Sequence, residues 1–185
     1  MKYLLAGLLT VMLVGSVGTT VYADICAMSV TVTVAKTVVV SGSPLTFPGV
    51  AAGAGNAVVS TAGCTVTNTG STTESYNLEL TAAPAGWSVL NGTGNPGAEQ
   101  FKLLALFTSE TPAASGSFVD GNDVVCSTTV INAASAVYGN PSESVNVQGF
   151  NCTASAVRTL WFKFMAPSAT VLTTQQWMTV TVSAY

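Results

Sequence analysis

Four cysteines, Cys26, Cys64, Cys126 and Cys152, are the residues of this chain best suited to chemistry, and their even number fits cross-linking. In an oxidising compartment such a set forms two disulfides. Three connectivities exist. Cys26 with Cys64 and Cys126 with Cys152 close the shorter loops and join segments that read as neighbouring strands, although spacing alone leaves the choice open. In the chain-entropy account each bridge stabilises by about 3 to 4 kcal/mol. A four-thiolate metal site is the competing chemistry, but no Cys-x-x-Cys pair is present.

The chain has no His, which removes Ser-His-Asp and Cys-His catalysis and His-bearing zinc sites. Acid-base work would fall to paired carboxylates. Glu79 alternates with Leu78 and Leu80 on the polar face of a strand. Glu74, Glu99, Glu110 and Glu143 lie in or near turns, where solvated surface accounts for them. A Ser-Lys hydrolase needs Ser-x-x-Lys, but the residues three before Lys36, Lys102 and Lys163 are Thr33, Glu99 and Leu160. The expectation is therefore no enzyme and no cofactor.

Gly92-Thr93-Gly94-Asn95-Pro96-Gly97 matches a dinucleotide-binding glycine pattern by letter, with Asp120 further on. Pro96 removes an amide that would face the phosphates and no βαβ context surrounds the loop, so a glycine turn is the better reading. Asp120-Gly121-Asn122-Asp123 offers calcium three oxygen-bearing side chains, yet it lacks EF-hand spacing, and Asp-Gly is a strong hairpin signal. A turn is expected there, with weak calcium binding as the alternative. Trp87, Trp161 and Trp177, exposed in a row, would stack on sugar faces; core anchoring is the plainer expectation for each ring.

The elements that must position these residues read as strands. Ser29-Val30-Thr31-Val32-Thr33-Val34 places three Val on one face. Tyr76 to Thr81, Val145-Asn146-Val147 and Met178 to Ala184 repeat the pattern, and Leu160, Phe162 and Phe164 alternate with Trp161, Lys163 and Met165. Ala98 to Phe107 contains good helix formers, but Phe101, Leu103, Ala105 and Phe107 also alternate, and a strand is preferred. Turn clusters recur at intervals of about ten to fifteen residues. Together these predict an all-β fold, a single antiparallel β-sandwich, immunoglobulin-like or jelly-roll-like, of about eight or nine strands.

Among the 185 residues, 49% are hydrophobic and only 7% charged. Lys2 followed by the apolar run Leu4 to Val17, with Val21-Tyr22-Ala23 before Asp24, reads as a signal peptide over residues 1–23. The apolar run is shorter than a spanning helix needs, so no stable membrane insertion is expected once it is removed. Residues 24–185 read as one domain, secreted or displayed at the cell surface. That part keeps Lys36, Lys102, Arg158 and Lys163 against the 8 Asp and Glu. So few basic residues exclude a nucleic-acid partner. Weak repulsion between copies permits close self-packing.

Both ends carry long alternating strands, with Val30, Val32 and Val34 at one and Met178, Val180, Val182 and Tyr185 at the other. Such a strand can complete its own sheet or add to a neighbour's open edge. On Met178-Thr179-Val180-Thr181-Val182-Ser183-Ala184-Tyr185 and the alternation after Cys26, the chain resembles in plan the subunits of chaperone-usher fimbriae and the spore coat U domain proteins. It departs from them in having Ala184 before the terminal Tyr and Trp177-Met178 where Tyr-Asp-Thr would stand. The resemblance implies a self-associating, pilin-like surface or filament subunit, partnered by copies of itself or other surface subunits. A secreted carbohydrate-binding or adhesion module, partnered by a glycan, is the alternative.

Overall fold

The structure is a computed structural model. It describes residues 22–23, 27–31, 38–127, 129–172 and 174–185, and side chains from residue 38 onward. The segment read as a signal peptide, Cys26, Val32 and Val34 therefore lie outside the described residues, apart from the backbone of Tyr22–Ala23.

The described chain is nearly all β. In chain order the strands are β1 (Tyr22–Ala23), β2 (Ala27–Thr31), β3 (Val38–Ser41), β4 (Leu45–Thr46), β5 (Val50–Ala51), β6 (Ala57–Val59) and β7 (Cys64–Asn68). There follow β8 (Tyr76–Ala82), β9 (Ser88–Val89), β10 (Gln100–Phe107), β11 (Ile131–Asn132), β12 (Val157–Met165) and β13 (Trp177–Ala184). The expected eight or nine strands become thirteen because several are two-residue pairings within turn-rich connections. The only helical turns described are short 3-10 turns at Ser115–Ser117 and Val145–Val147. The second corrects the strand read at Val145-Asn146-Val147. Ser144 Oγ accepts a hydrogen bond from Asn146 N–H and caps the turn, a local bond that competes with extension.

One sheet runs β3-β7-β12-β10-β9, and β6 also pairs with β12. The nine-residue β12 is its centre: β10 lies along one side, and the other is divided between β7 from Val157 to Leu160 and β6 from Lys163 to Met165. The second sheet runs β11-β8-β13-β2-β4, and β1 pairs with β5 separately. The sheets are mixed rather than purely antiparallel, since β9 with β10 and β2 with β13 run parallel.

Alternation in the sequence becomes alternation in burial along β7, β8 and β13. Val66, Phe101, Leu103, Leu160 and Phe162 of the first sheet and Leu78, Leu80, Val180 and Val182 of the second belong to one buried cluster. Phe47, Trp87, Phe101 and Phe164 pack their rings within it, at centroid separations of 5.8 to 6.1 Å. Strand β10 is buried on both faces: Phe101, Leu103, Ala105 and Phe107 face this core, while Leu104 and Leu106 join a second cluster with Ala113, Phe118, Val124, Cys126 and Trp161. That cover explains why β10 reads as a nearly continuous apolar run.

Candidate functional site: the paired chain ends and the buried polar clusters

The C-terminal strand β13 turns Met178, Val180 and Val182 into the core and leaves Trp177, Thr179, Thr181 and Ser183 on the other face. On one side it pairs antiparallel with β8, Val180 opposite Leu80 and Val182 opposite Leu78. On the other it pairs parallel with β2, from Trp177 opposite Ala27 to Thr181 opposite Thr31, which sets Val30 opposite Val180. The two edge-capable ends thus meet each other, and β13 is an inner strand. Among the described residues only the short β4 follows beyond β2, held by Ala27 opposite Thr46 and Met28 opposite Leu45. Tyr185 is tied by its main chain to Ser75 in both directions, at 3.1 and 3.3 Å, while its side chain is 59% exposed.

The three indoles do not form a platform. Trp87 is buried against Phe101 and Phe164, and its Nε1–H donates to Thr170 Oγ1 at 2.9 Å. Trp161 is buried in the second cluster, and Trp177 alone is exposed, at 56%.

The glycine loop and Asp120, which the sequence aligned only by letter, do meet in space. Gly94 N–H donates to Asp120 Oδ2 at 2.8 Å, and Lys102 Nζ donates to Asp120 Oδ1 at 2.6 Å and to Gly94 O. The Lys102 side chain is fully buried on β10. A cation there requires a partner, and the pairing holds the loop to the strand. Burial raises the Asp120 pKa, but the bonds from Lys102 and Gly94 outweigh it and hold the carboxyl below its ordinary value. The amide that a phosphate would need is already taken.

Asp123 points away from Asp120 in role. It is fully buried, with Oδ2 accepting from Val119 N–H at 2.6 Å and Oδ1 from Tyr138 N–H at 3.0 Å. Gly121 at φ 93° completes the turn predicted for Asp120 to Asp123. No cluster of three His, Cys, Asp or Glu with metal-binding geometry occurs among the described residues. Desolvation raises the Asp123 pKa from 3.8 to about 7, against the two N–H bonds that lower it. A carboxyl raised by folding stabilises most below its unfolded value, and that contribution is lost as pH rises through the folded one. Stability is therefore expected to fall between about pH 4 and pH 7, by on the order of a few kcal/mol. Thermal melts across that range test it, and Asp123→Asn should flatten the dependence. A slope unchanged by the substitution would assign it elsewhere.

The turn carboxylates do more than face solvent. Glu99 Oε2 accepts from Thr170 Oγ1 at 2.8 Å and Glu99 Oε1 from Val171 N–H at 2.6 Å. Glu110 Oε2 holds Ala114 N–H and Ser117 Oγ, both at 2.9 Å. Glu143 Oε1 accepts from Ser109 N–H and Ser109 Oγ at 3.0 and 2.5 Å. Glu99 and Glu143 each clasp one loop to another, a role that needs tertiary neighbours the sequence does not display, whereas Glu110 closes its own loop.

The described cysteines Cys64, Cys126 and Cys152 are free thiols and buried. Pairing of Cys126 with Cys152 is corrected by the register. Cys126 O accepts from Leu80 N–H, whereas Cys152 pairs with Glu74, six positions away along the same extended run. At about 3.3 Å per residue that separates them by roughly 20 Å, several times the reach of a disulfide. Burial pushes the Cys64 thiol up to about 12, against a smaller lowering by its backbone hydrogen bond. Sequence reasoning also missed a polar cluster around Cys152. Arg158 Nε donates to Gln148 O at 2.8 Å, Cys152 Sγ donates to the same oxygen at 3.5 Å, and the buried Tyr76 hydroxyl lies beside Cys152. Burial raises both the Tyr76 and Cys152 pKa values, and the Arg158 charge offsets part of each rise. The one signal available was Arg158 standing in phase with Leu160, Phe162 and Phe164, a charge on the apolar face of the strand.

No helix among the described residues is long and apolar enough to cross a membrane, which says nothing about a β-barrel. No family model, curated protein or solved structure matches the chain.

Proposed function

We propose that this chain is an exported, non-catalytic β-sandwich subunit of a cell-surface structure or filament, and that it associates with copies of itself by exchanging β2. The observation that carries the reading is the parallel seat of β2 against β13. The seat lies between β13 and a two-residue strand, so the same main-chain bonds are open to β2 of a second copy. Low charge favours such packing, and export places it outside the cell, with residues 1–23 removed. A glycan-binding role is left with Trp177 as its one exposed indole and has less support.

The test is deletion of Ala27 to Val34, followed by native and unboiled gels. Wild type should form a ladder and the truncated chain should lose it, with a synthetic Ala27–Val34 peptide binding the truncated chain one to one. Monomeric migration of both proteins at every concentration would sink strand exchange.

A further inference from the structure

The end of the molecule that carries Tyr185 gathers segments distant in sequence. Ser75 and Tyr185 exchange main-chain bonds, and Glu74 and Cys152 do the same beside them. Cys152 O also accepts from Asn68 Nδ2 at 2.9 Å, and Asn68 stands opposite Val38, the first residue of β3. The start of β3 and the end of β13 therefore lie at the same end of the two sheets.

Strand β2 points towards that end too. It runs parallel to β13, from Ala27 opposite Trp177 to Thr31 opposite Thr181, and so heads in the direction of Ala184 and Tyr185. Between Thr31 and Val38 stand only residues 32–37. Fully extended, that connection reaches at most about 25 Å.

Its length limits how β2 can be exchanged. A copy whose β2 is seated in a neighbour must keep its own β3 within that reach of the neighbour's Thr181. Donor and acceptor then meet by the same end, the one towards which both β2 strands point. By the symmetry of such a contact, the seat vacated in the donor lies equally within reach of the acceptor's β2. A contact that uses one surface on both copies closes on two.

The surface at this end suits burial. Val39 of β3, Thr67 of β7 and Val157 of β12 form a row across the outer face of the first sheet. Val145, in the turn joined through Gln148 to Arg158, and Tyr185 belong to the same end. Val39, Val145, Val157 and Tyr185 are 50 to 59% exposed. The five residues of β2 are few beside the roughly 20 to 30 a side of a standard interface, so exchange alone leaves the contact short of area.

We propose, on the footing of β2 exchange, that the exchange is reciprocal: two copies meet on the end bearing Val39, Val145, Val157 and Tyr185, and this pair is the unit of any larger assembly. Native mass spectrometry of the mature chain should show the dimer and even-numbered species. Val39→Lys with Val157→Lys sets like charges on both copies and should weaken dimerisation by about tenfold or more. Mixing that variant with one carrying Val39→Glu and Val157→Glu should restore the dimer as a mixed pair. With Ala27 to Val34 deleted, the lysine variant should still bind the Ala27–Val34 peptide one to one, which shows an intact fold and seat and separates loss of this face from loss of exchange. Odd-numbered species as abundant as even ones would overturn the proposal in favour of an open head-to-tail chain, as would charged variants that dimerise like wild type. A monomeric wild type would overturn it too, and a truncated wild-type chain that refuses the peptide would remove the exchange reading with it.

Discussion

Phe162→Ala is expected to lower the free energy of unfolding by about 3 to 5 kcal/mol. Phe162 is fully buried at the middle of β12, opposite Ala105 of β10, and it belongs to the cluster shared by both sheets. Its carbonyl is engaged by Ser60 N–H at 2.9 Å, so the strand is pinned and cannot collapse into the space the ring leaves. Domains of this size have about 5 to 15 kcal/mol of stability, which makes one ring a large fraction of the whole. Denaturant titration reads the effect as a lower midpoint at unchanged slope. A loss under about 1 kcal/mol would mean that the ring does not sit between the sheets.

Gly149→Ala should have the second largest effect, by overfilling instead of emptying. A Cβ there would lie 2.3 Å from Phe107 Cε2 and 2.5 Å from Phe107 Cδ2. Neither side can yield easily. The Phe107 ring is fully buried with its centroid 5.7 Å from that of Tyr76, and Gly149 O accepts from Tyr76 N–H at 2.8 Å. Overpacking of this kind costs about 1 to 3 kcal/mol, and more where the backbone is held. Combining the substitution with Phe107→Leu should recover part of the loss, so the double variant is more stable than the sum of the two single effects. Strict additivity would show that the two residues do not touch.

These positions differ in how far the sequence foretold them. Period-two alternation marked β8, β12 and β13 because each presents one face to the shared core, and Phe162 could be placed inside from its spacing alone. It marked Val145 to Val147 wrongly, since three residues are too few to separate a strand from a capped turn. For β10 the strand was legible but its second buried face was not, because the cover comes from residues 113 to 126, brought over it by the fold. Gly149 carried no signal: the ring it must clear is 42 positions away in sequence. The thiols were legible as a set but not as pairs, since partnership depends on which end of β8 each one reaches. The clasps of Glu99 and Glu143 were hidden for the same reason. They are made by loops meeting loops, and no period along the chain records such a meeting.

The parallel seat of β2 also constrains when this protein can mature. Ala27 finds Trp177, 150 positions further on, only late in synthesis, so a growing chain leaves β2 without this neighbour until nearly all of the sequence up to β13 has emerged. Late closure of this kind slows folding, because distant segments must be brought together before their bonds repay the lost freedom. A half-made molecule would present raw sheet margin to every similar molecule around it, so wrong pairing between copies competes with closure until the last strand is in place.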